Sequence, residues 1–165
     1  MITDFLLEHR WLMPAVLAVL VLGGPPVAAW LAGRRRLLWS LTGLSLLPVA
    51  ALTLTPVDRE LYGTCEIAWM LPTPARVELF ANLVLFVAPV LLAGVATRRP
   101  IAVLVAASAL SAVIEGVQAL APAIGRSCDT TDWLSNTIGA MIGAALAAIA
   151  LRRGSASSAR ATPRR

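Results

Sequence analysis

The sequence predicts an all-α fold, a polytopic transmembrane helix bundle of about five spans. Three observations predict it: 58% of the 165 residues are hydrophobic and 14% charged, the mean hydropathy is +0.78, and five apolar runs each reach the roughly 20 residues that cross a bilayer. Ordinary soluble domains carry about 25% charged residues, which excludes that class. The length allows one transmembrane domain, residues 1–153, with a short tail over 154–165.

The first run lies near residues 11–32. Asp4 and Glu8 stand where a cleaved secretory signal carries positive charge, and Arg34, Arg35 and Arg36 follow the run, so it reads as a retained span. Gly23, Gly24, Pro25 and Pro26 in its middle predict a kink or interruption. The second run, 37–56, contains Pro48 and the third, 78–97, contains Pro89, each a local kink. Between them the loop 57–77 mixes charge, Cys65, Trp69 and prolines, and is expected to pack over one face of the bundle. The fourth and fifth runs cover 100–121 and 132–151. The tail, GSASSARATPRR, is small, polar and basic, and is expected to be a disordered cytoplasmic segment.

All 14 basic residues are arginine. Ten cluster after the first run (Arg34–Arg36), after the third (Arg98, Arg99) and after the fifth (Arg152, Arg153, Arg160, Arg164, Arg165). The positive-inside rule places these segments in the cytoplasm. The N-terminus and the loops 57–77 and 122–131 are then outside and the C-terminus inside, in a multi-pass protein of the cell membrane. Trp11, Trp30, Trp39 and Trp133 fall near span ends, as an interfacial aromatic belt requires. The net charge of +5 and pI near 10.9 do not indicate nucleic acid, because the arginines flank apolar spans and suit orientation and anionic membrane lipids.

Cys65 and Cys128 both fall in outer loops, where an oxidising environment favours a disulfide; the alternative is two separate thiols. With His9 far away in sequence they lack metal-ligand spacing, so neither a metal nor a cofactor is expected.

The segment Ser111–Gly143 holds Glu115, Gln118, Arg126, Asp129, Asp132 and Asn136 inside or beside apolar sequence. Ionisable groups at membrane depth usually pair with one another or line a functional cavity. At about 1.5 Å rise per residue, Glu115 lies about 9 Å below the outer boundary, and Asn136 and Asn82 about 6 Å. Glu115 with Gln118, Asp132 with Asn136, and Glu78 with Asn82 are i, i+3 or i, i+4 pairs, so each shares a helix face. Three helices can thus aim polar faces at one shallow, outward-facing pocket. Each residue also has a structural role open to it: Asp132 can cap the fifth helix, and Asn82 and Asn136 can bond between helices. Gly139 and Gly143 continue the Asp132 and Asn136 face at the GxxxG spacing that lets helix backbones approach closely.

This order, Glu115, Gln118, Arg126, Asp129, Asp132, Asn136, Gly139 and Gly143 after the NLVLFVAP segment Asn82–Pro89, resembles the signature of the VanZ-like family of small bacterial membrane proteins. The likeness covers roughly residues 50–150. That family is named for a protein associated with teicoplanin resistance, so the resemblance implies a cell-envelope role with a link to glycopeptide resistance.

Two functions compete. In the first, the pocket binds or modifies an envelope lipid or cell-wall precursor. Arg126 pairs with its phosphate or carboxylate through a planar donor fork, Glu115 and Asp132 are the candidate catalytic acid/base pair, and Gln118, Asp129, Asn136 and Asn82 hold the head group. In the second, the chain is a non-catalytic membrane scaffold or interaction protein whose polar cluster is structural.

Overall fold

A computed structural model describes residues 2–54, 65–121 and 128–161. Its helices are α1 (Ile2–Glu8), α2 (Leu12–Leu31), α3 (Arg35–Leu54), α4 (Val77–Thr97), α5 (Pro100–Leu120) and α6 (Thr130–Ala161). Five of them, α2 to α6, are long and apolar enough to cross a membrane. The sequence predicts these five within a few residues at most ends, because hydropathy alone sets where a span must begin and stop. The short α1 escapes such a reading, since a seven-residue helix carries no span-length signal.

Two local differences have physical causes. The helix α2 runs through Gly23–Pro26 without interruption, where the sequence leaves both a kink and an interruption open. Pro25 is buried, and neighbouring helices make proline tolerable inside a membrane helix. At the other end of the chain, α6 continues past Gly154 to Ala161, where the sequence suggests a disordered tail. That stretch is rich in alanine, the best helix former. Residues 162–165 lie outside the described residues.

The connection between α4 and α5 is the dipeptide Arg98-Arg99. Arg98 adopts a left-handed conformation, φ 56°, which stops α4, and Pro100 occupies the first turn of α5, where a missing N–H costs nothing. So short a link makes the two helices antiparallel neighbours. Arg34–Arg36, Arg98, Arg99, Arg152 and Arg153 thereby gather at one end of the bundle and are all exposed, while Arg10 and Arg76 lie outside these clusters. Arg34 stacks on Trp30, 3.9 Å from the ring centroid. Glu66, Glu78, Glu115, Asp129 and Asp132 lie toward the opposite end.

The central helix is α4, with 67% of its span buried against 11%, 17% and 17% for α2, α3 and α5. Its partner is α6. A side chain at Gly139 would run into the Leu83 backbone, and a Cβ at Gly143 would sit 2.6 Å from the Val87 carbonyl oxygen. The two backbones therefore meet along the GxxxG face, as small residues permit in membranes. On one side of this pair Ala28, Leu31 and Leu38 pack on Leu83, Val87, Leu91 and Ala147. On the other, Val49, Phe86, Val90, Ile114, Ala140 and Ala144 form a second apolar cluster, drawn from α3, α4, α5 and α6.

Candidate functional site

The second cluster is the floor of the polar region. Each of its four helices places a polar residue four positions from a cluster member, toward the same end of the bundle: Thr53 beyond Val49, Asn82 beyond Phe86, Gln118 beyond Ile114 and Asn136 beyond Ala140. Residues at i and i+4 lie on one helix face. One layer of apolar side chains is thus overlaid by one layer of polar groups from four helices.

The contacts in this layer are specific. The Gln118 side-chain amide donates to the Thr53 carbonyl oxygen at 2.9 Å. Gln118 of α5 thereby ties itself to the backbone of α3. The Asn136 amide donates to Ser111 Oγ at 2.9 Å; Ser111 is wholly buried and Asn136 is 3% exposed. Among the described residues the buried Asn136 Oδ1 atom has no hydrogen-bond partner. Asn82 is half-buried on α4, whereas Glu78, one turn away, is exposed.

Glu115 is 8% exposed and accepts a hydrogen bond from the backbone N–H of Asp129 at 2.9 Å. Asp129 is the residue before α6, and its carboxylate accepts the Thr131 N–H at 2.7 Å. The helix cap is therefore Asp129, not Asp132. Asp132 stands in the first turn of α6, where a negative charge complements the helix dipole. The sequence Asp129-Thr-Thr-Asp132 has the spacing of a capping box, in which the third helical residue accepts the cap's own N–H. Here Glu115 of α5 takes that N–H and joins two helices. The carboxylates of Asp129 and Asp132 lie close enough to act electrostatically on Glu115. Arg126, the expected cation of the site, lies outside the described residues.

The start of α6 is held from outside the bundle as well. Cys65 and Cys128 form a disulfide with Cα atoms 4.6 Å apart. Beside it Glu66 N donates to Cys128 O at 2.9 Å and Thr130 N to Glu66 O at 3.1 Å. The Thr130 hydroxyl donates to Ala68 O at 2.6 Å and accepts from Ala68 N at 3.0 Å, and Thr131 Oγ1 also reaches Ala68 O. Segment 65–68 is thus fastened to the α6 terminus that presents Asp129 to Glu115. Trp133, half-buried near the start of α6, donates its indole N–H to Ser108 O at 3.2 Å, and its ring meets Trp69 edge-on.

Asp129→Ala is expected to lower stability by about 1 kcal/mol through loss of the cap, with Asp129→Asn close to wild type, because Asn caps as well as Asp. Thermal unfolding in detergent measures both. The Asp129 N–H remains in either variant, so the bond to Glu115 persists.

The structure brings Glu115, Gln118, Asp129 and Asn136 into one region with Asp132 beside them. It adds residues that sequence reasoning passes over: Ser108, Ser111 and Thr53. Ser108 and Ser111 precede Glu115 by seven and four positions, and that helical spacing is the signal that finds them. Thr53 acts through its carbonyl and leaves no such signal.

No curated protein and no solved structure matches the chain. A family model described as VanZ/LLP1 matches residues 13–151, extending the likeness through α2 and α3, where the sequence offers only hydropathy. With five apolar helices and a match over most of its length, the chain is a multi-pass membrane protein of the VanZ/LLP1 family.

Proposed function

We propose that the protein serves the cell envelope by binding, at the polar end of the bundle, the head group of an envelope lipid or cell-wall precursor. The observation that carries this reading is the polar layer itself: Glu115, Gln118 and Asn136, all at least nine-tenths buried, lie together at one end of an apolar bundle. Keeping a carboxylate there is costly unless it serves a purpose. The arginine clusters at the other end favour placing the polar end outside, and a disulfide at the polar end fits an oxidising compartment. In this reading Arg126 takes the phosphate or carboxylate of the ligand. Glu115 and Asp132 are the acid and base if a bond is made or broken, and Gln118, Asp129, Asn136 and Asn82 orient the head group. A contribution to teicoplanin resistance follows where that ligand is a cell-wall precursor.

The test is single replacement of Glu115→Gln, Arg126→Gln and Asp132→Asn in cells whose envelope integrity and teicoplanin sensitivity depend on the protein. Each variant is expected to lose the phenotype while inserting at wild-type level on membrane immunoblots. Three variants with wild-type phenotype would sink the proposal.

A scaffold role is favoured by a different observation: the Gln118 amide and Glu115 carboxylate are both bonded to backbone groups of other elements, which is what helix-joining residues do. It predicts that phenotype falls only in step with abundance and melting temperature across the same variants.

A further inference from the structure

The polar layer leaves one buried acceptor without a donor. Among the described residues Gln118 donates to the Thr53 carbonyl, Asn136 to Ser111 and Trp133 to the Ser108 carbonyl. Asn136 Oδ1 is buried with no partner. Exchanging the oxygen and nitrogen of that amide would leave two N–H donors unpaired in place of one N–H and one oxygen, and a hydroxyl, which both donates and accepts, answers either arrangement. The Glu115 carboxylate offers about four lone-pair sites, and the Asp129 N–H fills one of them. A phosphate brought to this spot would meet Glu115, Asp129 and Asp132; an ammonium would be attracted by the same carboxylates but would have to shed its hydration at depth, a cost that can exceed the attraction. A neutral hydroxyl carries neither cost and supplies the missing donor.

The geometry points to a hydroxylated head group, of the sugar or polyol class, whose hydroxyls donate to Asn136 Oδ1 and to the Glu115 carboxylate. The inference rests on the reading that this end of the bundle takes an envelope lipid, and it names which head-group chemistry the site selects. Any phosphate on such a lipid lies away from the three carboxylates.

The experiment is a lipid competition read by native mass spectrometry on the full-length protein in phosphatidylcholine nanodiscs. The competitors share acyl chains and are phosphatidylglycerol, glucosyl diacylglycerol, phosphatidylethanolamine and phosphatidic acid, with free glycerol and free glucose as head-group-only arms. Retention of the two hydroxylated lipids is expected to exceed that of phosphatidic acid and phosphatidylethanolamine by about tenfold, the scale of one well-made hydrogen bond to a charged or buried acceptor. Asn136→Leu is expected to erase the preference while still inserting and purifying as a single species. Equal retention of all four lipids by the wild-type protein overturns the hydroxyl inference and leaves the lipid reading intact. No retention of any of them above phosphatidylcholine overturns both. Free glycerol or glucose bound as tightly as the lipids keeps the donor class and overturns the lipid source. A preference that survives in folded Asn136→Leu overturns the assignment to Asn136. The wild-type competition needs no variant, so a misfolded Asn136→Leu does not protect the inference.

Discussion

Gly139→Leu is expected to abolish the folded bundle, with little protein surviving detergent extraction and gel filtration as a single species. The cause is contact between backbones: a side chain at Gly139 collides with the Leu83 carbonyl, which α4 cannot withdraw without losing its own helical hydrogen bonding. Overpacking of ordinary cores costs about 1–3 kcal/mol, and a rigid obstacle puts this case at or beyond the upper end. Gly143→Ala is expected to cost less because it adds a single methyl group and its contacts, the Val87 carbonyl at 2.6 Å and the Val90 Cβ at 2.9 Å, are longer than the clash at Gly139. Gly116 is the control. It has nothing within 4 Å of an added Cβ, so Gly116→Ala is expected to be neutral or to stabilise by up to about 1 kcal/mol through helix propensity. Thermal unfolding in detergent ranks the three.

Removing the disulfide is the second large effect. Cys65 and Cys128 are separated by 63 positions, for which the chain-entropy relation gives about 4 kcal/mol. That figure supposes a free coil between the two cysteines. Here α4 and α5 lie between them, and membrane spans stay helical and inserted even when they no longer pack, so the entropy at stake is smaller. Cys65→Ser with Cys128→Ser is therefore expected to cost about 2–3 kcal/mol. The loss should concentrate where segment 65–68 meets α6: protection of the Glu66, Ala68 and Thr130 amides in hydrogen exchange is expected to fall first. A reductant is expected to reproduce the shift in wild-type protein and to leave the double variant unmoved. Equal melting temperatures for reduced and oxidised wild type would refute the assignment of a stabilising role to the bridge.

What could be read from the chain, and what could not, divides along range of interaction. The five spans were legible because crossing a bilayer is a local demand on composition, and the Gly139/Gly143 face was legible because its spacing is local too. The identity of the cap was not. Asp129 and Asp132 flank the same helix start, and the choice between them is made by Glu115, fourteen positions earlier in α5, which takes the Asp129 N–H. The bonds between Thr130, Thr131 and Ala68 likewise join positions 62 or 63 apart and depend on the loop's final placement. The place of Trp133 at a span end is legible in the sequence; its hydrogen-bond partner, the Ser108 carbonyl of α5, is not. At the polar layer the side chains were legible as anomalies in apolar sequence. Their pairing, and the unpaired Asn136 Oδ1, required the four helices to be in place.

The marriage of α4 to α6 also has a bearing on biogenesis. The most buried span is made before α5, yet the helix that covers its backbone at Leu83 and Val87 is made after it. Until α6 is made, α4 must wait in lipid with α2, α3 and α5 around it and one groove vacant. A chain truncated before Thr130 keeps four insertable spans and lacks the closing one, which marks it as a natural substrate for membrane quality control.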